Sequence, residues 1–580
     1  MNCWVIFFNF FSPKEVRHAI NSLLSAHPWN FKKVMKKEDG ITFSILDFMV
    51  LGGEKEWIPK GCLDQDRAPH RARNPPFLTK KIAVDRMTVI EITEREVSQN
   101  ERYVKNITPK SVDFSKWYVE IIQKAELADY APIKGMMVIR PYGFAIWENI
   151  QSLADGRIKE TGHTNAYFPI FIPEGFLQKE AEHLEGFAPE VAWVTHGGRE
   201  KLEERLAVRP TSEAIIGNMY AKWIKSWRDL PVLINQWANI VRWEKVTRPF
   251  LRTTEFLWQE GHTAHETSEE AQEETLKILS LYKEFAEEEL AIPVISGMKT
   301  EREKFAGAMK TYAIEAMMSD GKALQMGTSH NLGQQFSKVF NIRFEDREQK
   351  LQYVWQTSWG VSTRLVGALI MVHGDDSGLK LPPRVAPYQV VIIPISVGDW
   401  KENVLPVAQS IAMDLAKKGI RVKLDEREEF TPGWKFSEWE MRGVPIRIEI
   451  GPKDIQSKQV VAVRRDTGKK ESLAQDSLAK KVTGILNDIQ KNMFKMAQKF
   501  QDENTFEVKD YQEFKDVMKS KRGFIMAYWC GDTSCEEKIK DETMATIRVV
   551  PLQSDRKNGQ GKCILCQKPS EHLVYFAKSY

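Results

Sequence analysis

Residues 242–262 constrain the fold more than any other part of this chain. Arg242-Trp243-Glu244 is followed, after a loop, by Phe250-Leu251-Arg252-Thr253-Thr254-Glu255-Phe256-Leu257-Trp258-Gln259-Glu260-Gly261-His262. This predicts two antiparallel strands joined by a basic loop. Alternation with period two puts Arg242 and Glu244 on one face, and Phe256, Trp258, Glu260 and His262 on one face. An apolar ring beside charged groups suits a small-molecule pocket. An ordinary hairpin with surface charges and a buried aromatic pair is the plain alternative. A second arginine ends Gly360-Val361-Ser362-Thr363-Arg364, where a strand is expected to meet a helix. A cation in the first turn is opposed by the helix dipole, so Arg364 should have an anionic partner. A salt bridge, for example to Glu244, is the alternative to a ligand.

Two further stretches belong with these. In Arg209-Pro210-Thr211-Ser212-Glu213 a hydroxyl and a carboxylate two residues apart can both meet an ammonium group. Thr211 or Ser212 capping a helix that starts near Glu213 is equally compatible with the pattern. In Gln325-Met326-Gly327-Thr328-Ser329-His330, Gly327 allows close backbone approach. A site that handles a nucleoside triphosphate and a carboxylate needs fixed cations at both ends, and arginine is a planar, permanently charged fork. The arrangement points to adenylation of an amino acid on an antiparallel sheet. No Gly-rich Walker-type loop is present, so a P-loop site is excluded.

At 580 residues the chain should hold three or four domains. Residues 1–86 lack a sustained periodic pattern. They read either as an appended segment or as an extension upstream of a start at Met87. An amphipathic helix opens at Phe114, a strand and turn fall at 134–143, and a helix follows over 144–160. A strand is expected from Thr164 to Ile172, and Glu266 to Leu290 is a charged helix with a solvated glutamate face. Pro382, Pro383 and Pro387 mark a boundary. Beyond it, strand 389–395, helix 402–418 and strand 421–424 begin a small α/β domain reaching about 485. The remainder, about 490–580, is a separate module.

Six cysteines are present, and four of them cluster as Cys530-x4-Cys535 and Cys563-x2-Cys566. Four thiolates suit a closed, structural tetrahedral Zn2+ site. Free buried cysteines or a disulfide pair are the alternatives. A net charge of +4 permits nucleic-acid binding without arguing for it. There is no run of 18 or more apolar residues, so no membrane span is expected, and a cytoplasmic protein is the default.

Taken together, Arg-Pro-Thr-Ser-Glu, Arg-Trp-Glu with Phe-Leu-Arg-Thr and Glu-Phe-Leu-Trp-Gln-Glu-Gly-His, Gly-Thr-Ser-His, and Trp-Gly with Thr-Arg and His-Gly-Asp resemble the class II aminoacyl-tRNA synthetases. More narrowly they resemble the prolyl-tRNA synthetases of the archaeal and eukaryotic-like type, over about residue 105 to Tyr580. The resemblance implies an α+β fold. A class II antiparallel sheet flanked by helices would span 105–380, with an α/β anticodon-binding domain at 387–485 and a small C-terminal zinc-binding domain.

It also implies site roles. Arg242 would hold the proline carboxylate and the α-phosphate. Arg364 would bind the triphosphate tail and stack on adenine opposite Phe256. Glu244, Arg252, Thr253, Gln325, Thr328 and Ser362 would contact ATP. Thr211, Glu213, Phe187, Glu190, Trp258, His262 and His330 would form the proline pocket. ATP with Mg2+, L-proline and tRNA(Pro) are the implied partners. A homodimer is implied too, with the strand around 165–173 near its interface.

Bacterial-type relatives carry an editing insertion between the second and third class motifs. Fewer than 100 residues separate His262 from Gly360 here, so no editing domain is expected in this chain. The terminal Tyr580 is expected to tuck toward the catalytic domain. Two other functions compete. A catalytically silent RNA-binding paralogue would typically have lost a class arginine or an ATP contact. A threonine-type sister enzyme would need a catalytic-site zinc, and no cysteine lies between Cys62 and Cys530.

Overall fold

The computed structural model describes residues 107–183, 190–552 and 560–580, with four short strands near the start of the chain. Two compact units are present, Met1–Glu101 and Arg102–Tyr580. In the first, Phe48–Val50 pairs with Trp57–Pro59, and Thr79–Val84 pairs with Thr88–Thr93, both antiparallel. The expectation about residues 1–86 otherwise falls outside the described residues.

The second unit is built on one long sheet. Its strands are β1 (Thr164–Asn165), β2 (Val232–Val241), β3 (Glu255–His265), β4 (Val294–Met298), β5 (Lys310–Met317), β6 (Ala323–Gly333) and β7 (Trp355–Ser362). Spatially they run β4-β5-β6-β7-β3-β2-β1. Every neighbouring pair from β4 to β2 is antiparallel, and β1 joins parallel. One face is covered by α1 (Phe114–Lys124), α2 (Pro141–Glu160), α4 (Ser268–Glu288) and α5 (Arg364–His373), which share a single apolar core with it. Thr267 caps α4 reciprocally with Glu270, so the helix starts where the chain leaves β3. The other face is partly packed, where Ala264 and Leu332 meet Phe168 and the helix Glu213–Trp223, and its remainder carries a cavity.

Glycine allows the covered face to pack closely. A Cβ on Gly261 would meet the Trp359 ring of β7 at 2.1 Å. One on Gly327 would meet Val361 at 2.9 Å and Tyr282 of α4 at 3.3 Å. The close approach expected at Gly327 is therefore made by protein side chains on the covered face.

Several expectations need correction. The strand anticipated over Thr164–Ile172 is split into Thr164–Asn165 and Phe171–Pro173, which pair in different sheets. Pro169 lies in the gap and has no N–H to continue a ladder. The helix expected from 144 begins at Pro141, where proline suits the first turn. Arg242 and Glu244 lie just past the last residue of β2 rather than within it.

After α5 the chain forms a second sheet from β8 (Val390–Pro394), β9 (Val422–Leu424), β10 (Ile446–Ile450), β11 (Gln459–Arg464) and β12 (Lys470–Ala474). Its order is β9-β8-β10-β11-β12. β8 is parallel to both neighbours, and the last two strands are antiparallel. Asp375, just beyond α5, ties this domain to the first: Arg465 donates to it twice, at 2.6 and 3.0 Å.

Helix α6 (Pro432–Met441) belongs to this domain, and the long helix α7 (Leu478–Glu503) leads from it into the last module. That module holds β13 (Thr505–Glu507), β14 (Phe524–Trp529), α8 (Thr533–Thr543), β15 (Thr546–Pro551) and β16 (His572–Ala577). It is not a freestanding body. β15 pairs with β4 through Gly297–Pro551 and Met298–Val550, so its strands extend the long first sheet. Beneath this seam Glu315 accepts from Lys299 at 2.7 Å and from Arg548 at 2.8 Å, all three buried. Tyr580 donates to Asp320 at 2.8 Å, against the same sheet.

Candidate active site

The second face of the sheet carries a cavity of about 520 Å³. Phe256, Trp258, Glu260 and His262 of β3 line it together, as alternation requires. Strict alternation would set Gln325 and Thr328 of β6 on opposite faces. The ladder shifts register between Ile314 and Glu315, opposite Gly327 and Gln325, and both residues line the cavity. Ser362 closes β7, and Arg364 opens α5 beside it.

Arg242 and Arg364 both line this one cavity. The Arg242 Nε donates to the Pro210 carbonyl at 3.0 Å, and the guanidinium lies 5.7 Å from the Phe256 ring and 5.6 Å from Trp258. Arg364 donates to the carbonyls of Leu251 and Gln325, each at 3.2 Å. Neither forms an ion pair among the described residues. The anticipated bridge from Arg364 to Glu244 is not made, because Glu244 faces Arg252 at 3.4 Å. Burial lowers the pKa of both arginines, and the like charge of Arg242 lowers Arg364 further, to about 10. Guanidinium holds its proton even so. Glu213, Glu244 and Glu260 act on Arg242 at longer range, and Glu315 on Arg364, but neither guanidinium has a carboxylate within ion-pair distance among the described residues.

The other end of the cavity is arranged around carboxylates. Ser212 occupies the N-cap position of α3 (Glu213–Trp223), but its hydroxyl makes no capping bond. It donates instead to Glu260 at 2.5 Å, and Gln236 adds a donor at 2.7 Å. His262 lies 3.0 Å from the same carboxylate. Burial disfavours the charged form of each. Their mutual hydrogen bond and attraction outweigh it, raising His262 and lowering Glu260. Thr211 donates to Glu213 across the mouth of α3. His330 differs. Burial and the charge of His262 push it down to about 3, so it is a neutral ring beside Thr311 Oγ1 at 3.0 Å. Phe305 covers it, ring centroids 4.8 Å apart.

Of the residues singled out from sequence, Thr211, Glu213, Arg242, Phe256, Trp258, His262, Gln325, Thr328, His330, Ser362 and Arg364 line the cavity. Glu244, Arg252, Thr253 and Glu190 do not. Glu190 is half exposed and pairs with Lys245 at 3.1 Å, while Thr253 is buried and donates to the Glu255 carbonyl at 2.7 Å. Phe187 lies outside the described residues. Glu303, Phe305, Ala306 and Thr311 also line the cavity and were not foreseen. Glu260 was legible, since it shares its face with Trp258 and His262.

In the last module the Sγ atoms of Cys530, Cys535, Cys563 and Cys566 all lie within 4.8 Å of one another. Cys530 is 3.7 Å from Cys535 and 3.6 Å from Cys566. Four thiolates about 2.3 Å from one tetrahedral centre stand about 3.8 Å apart. A disulfide would need about 2.05 Å. The donor set fits a tetrahedral metal.

An antiparallel sheet with two arginines lining this cavity, backed by helices and followed by an α/β domain, defines a class II aminoacyl-tRNA synthetase. Residues 193–373 match the class II tRNA synthetase core domain shared by the G, H, P, S and T enzymes. Residues 389–485 match the anticodon binding domain, and 511–580 the prolyl-tRNA synthetase C-terminal domain. The chain is 60% identical to the proline–tRNA ligase of Natranaerobius thermophilus over 483 residues, 83% of this chain and 99% of that one. It is 56% identical to proline–tRNA ligase 2 of Clostridioides difficile over 485 residues, 83% of this chain and all of that one. The crystal structure of prolyl-tRNA synthetase from Cryptosporidium parvum, complexed with halofuginone and AMPPNP, superposes with a TM-score of 0.78 at 44% identity. That match covers 82% of this chain and 99% of the other. The chain belongs to the prolyl-tRNA synthetase family and is a proline–tRNA ligase, activating proline with ATP and transferring it to tRNA.

Proposed function

We propose that Arg242 and Arg364 grip the two ends of a single bent ATP, with L-proline seated between Arg242 and Glu213. The observation that carries this reading is that both guanidiniums line one cavity while neither has an ion-pair partner among the described residues. A buried cation without a counter-ion is costly, and phosphate and carboxylate supply what is missing. The Cryptosporidium relative was crystallised in complex with AMPPNP, which supports a nucleotide as a ligand of this chain.

In this reading Arg242 aligns the proline carboxylate with the α-phosphate. One carboxylate oxygen attacks the α-phosphorus in line, the bond to the bridging oxygen breaks, and pyrophosphate leaves. No general base is needed, because the nucleophile is already ionised. Positioning and charge neutralisation carry the reaction. Arg364 holds the triphosphate tail and, with Phe256, sandwiches adenine. Gln325, Thr328 and Ser362 complete the nucleotide contacts. Glu244, Arg252 and Thr253, which lie outside the cavity lining, add nucleotide contacts from the segment beyond β2. ATP arrives as its magnesium complex. Thr211 and Glu213 receive the proline ammonium, and Trp258, His262 and the neutral His330 enclose the ring. The second step passes proline to the terminal ribose hydroxyl of tRNA(Pro), whose anticodon is read by the domain at 387–485.

Three features complete the proposal. The four cysteines hold one structural Zn2+, with no open position for chemistry. The molecule works as a homodimer through the segment 165–173, where Tyr167 and Phe171 are exposed. Fewer than 100 residues separate His262 from Gly360, which supports the absence of an editing insertion there, so alanine, which a proline pocket rejects by only about 1–3 kcal/mol per missing methylene, is cleared by a separate protein. The domain limits are 105–380, 387–485 and 490–580, and the site of action is the cytoplasm. No helix among the described residues is long and apolar enough to cross a membrane. Pyrophosphate exchange into ATP, measured with each of the twenty amino acids, tests the assignment. Exchange strongly preferring proline is expected; preference for threonine, glycine or histidine refutes it.

A further inference from the structure

The loop between β4 and β5 brings Glu303, Phe305 and Ala306 to the cavity. Its own bonds are local: Glu303 N–H donates to the Thr300 carbonyl at 3.1 Å, Ala308 N–H to the Phe305 carbonyl at 3.0 Å, Lys304 pairs with Glu301 at 2.6 Å, and the Phe305 ring stacks on Phe336 with centroids 6.4 Å apart. Phe305 N–H donates to Thr311 Oγ1 at 3.0 Å, and the Phe305 ring leans on His330. The root of the loop is held by the cysteine-bearing module. Lys299 Nζ donates to the Arg548 carbonyl at 2.7 Å. Thr300 Oγ1 donates to the Glu536 carboxylate at 3.0 Å, and Arg302 pairs with Glu537 at 3.5 Å. Lys299, Thr300 and Arg302 thus all grip one neighbour, immediately before the residues that wall the cavity.

Glu536 is the informative member. It is 2% exposed, and no cation lies within ion-pair distance of it among the described residues. A carboxylate so buried is costly to keep for a single hydroxyl unless the contact fixes something. It sits in the first turn of α8, which Asp532 caps, directly after Cys535 of the cysteine cluster. Arg302–Glu537 is half exposed and screened, and contributes less.

We propose that Glu536 is a positioning residue for amino-acid selection. Through Thr300 it fixes the 299–308 loop, and with it Phe305, against His330 at the amino-acid end of the cavity. The C-terminal module thereby acts on proline binding without touching proline. The nucleotide end, floored by Arg364 and Gln325, stands on β6 and α5 and is independent of this clamp. The inference rests on the reading that Phe305 and His330 wall the proline subsite.

The test uses the full-length enzyme. Glu536→Ala should raise the KM for proline in pyrophosphate exchange about tenfold, the worth of one positioned hydrogen bond. KM for ATP and kcat should stay within about twofold. Thr300→Val should give the same pattern, the double variant no more than either single, and Glu536→Gln, which keeps the acceptor, should behave as wild type. If Glu536→Ala does not fold, Thr300→Val decides. Amide hydrogen exchange across 300–306 should quicken in the variants, with β7 unchanged. An unchanged proline KM, or equal losses for proline and ATP, overturns the proposal. Were wild-type exchange indifferent to proline, the subsite reading would fail instead. The hydrogen-exchange comparison would still decide whether Glu536 fixes the loop.

Discussion

Arg242 and Arg364 converge on one cavity, one from just past the end of β2 and one from the start of α5. They repel each other enough that the charge of Arg242 depresses the pKa of Arg364. Such an arrangement is unfavourable in the free protein and favourable once anions arrive. It stores binding capacity at the expense of stability.

Arg364→Met should therefore separate stability from activity. Removing a desolvated cation that has only carbonyl partners should leave the thermal midpoint unchanged or higher. Proline-dependent exchange should fall by a factor of about 100 or more, as for loss of a preorganised charge donor. Calorimetry with parallel kinetics checks both. A midpoint lower by many degrees would mean that Arg364 is a structural residue.

Gly261 makes a purely structural prediction. Its missing Cβ leaves room for the Trp359 ring, which would otherwise stand 2.1 Å away. Gly261→Ala should destabilise by about 1–3 kcal/mol through overpacking. Trp359 would be pushed toward α4, lowering the thermal midpoint before any direct effect on substrate.

The pairing of His262 with Glu260 gives a pH dependence. His262 titrates above its ordinary value near 6.5, so its contribution is complete below that pH and fades as pH rises through the folded value. Glu260 titrates below its ordinary 4.5, so its contribution is present above that pH and is lost as pH falls. The pair is strongest between these limits. The difference in thermal midpoint between wild type and His262→Gln should be larger near pH 5.5 than near pH 8. A difference independent of pH would show that His262 is neutral throughout.

The cysteine cluster predicts one zinc per chain by elemental analysis, with sulfur neighbours at about 2.3 Å in X-ray absorption. Cys563→Ser should lower metal content and unfold the last module at a lower temperature. The rest of the unit should follow in part, because β15 is hydrogen-bonded to β4.

Much of the site was legible in sequence because its residues lie on regular strands or beside sharp local signals. Phe256, Trp258, Glu260 and His262 share a face by simple alternation, and Arg364 follows a strand at the start of an apolar helix. The rest depends on events with no local signature. The register shift opposite Gly327 brings Gln325 and Thr328 to one face, and only strand pairing reveals it. Ser212 looks like a cap, yet Glu260, 48 residues away, takes its hydroxyl. Phe305 reaches the cavity on a loop whose root is held by residues more than 230 positions later. The join of β15 to β4 was equally invisible, since unpaired strand edges carry no record of their partner.

The most direct test of the account is proline-dependent pyrophosphate exchange by Arg242→Ala, measured beside its thermal unfolding. The account predicts that exchange is abolished while the unfolding midpoint stays close to that of the wild type. Near-normal turnover in that variant would contradict it.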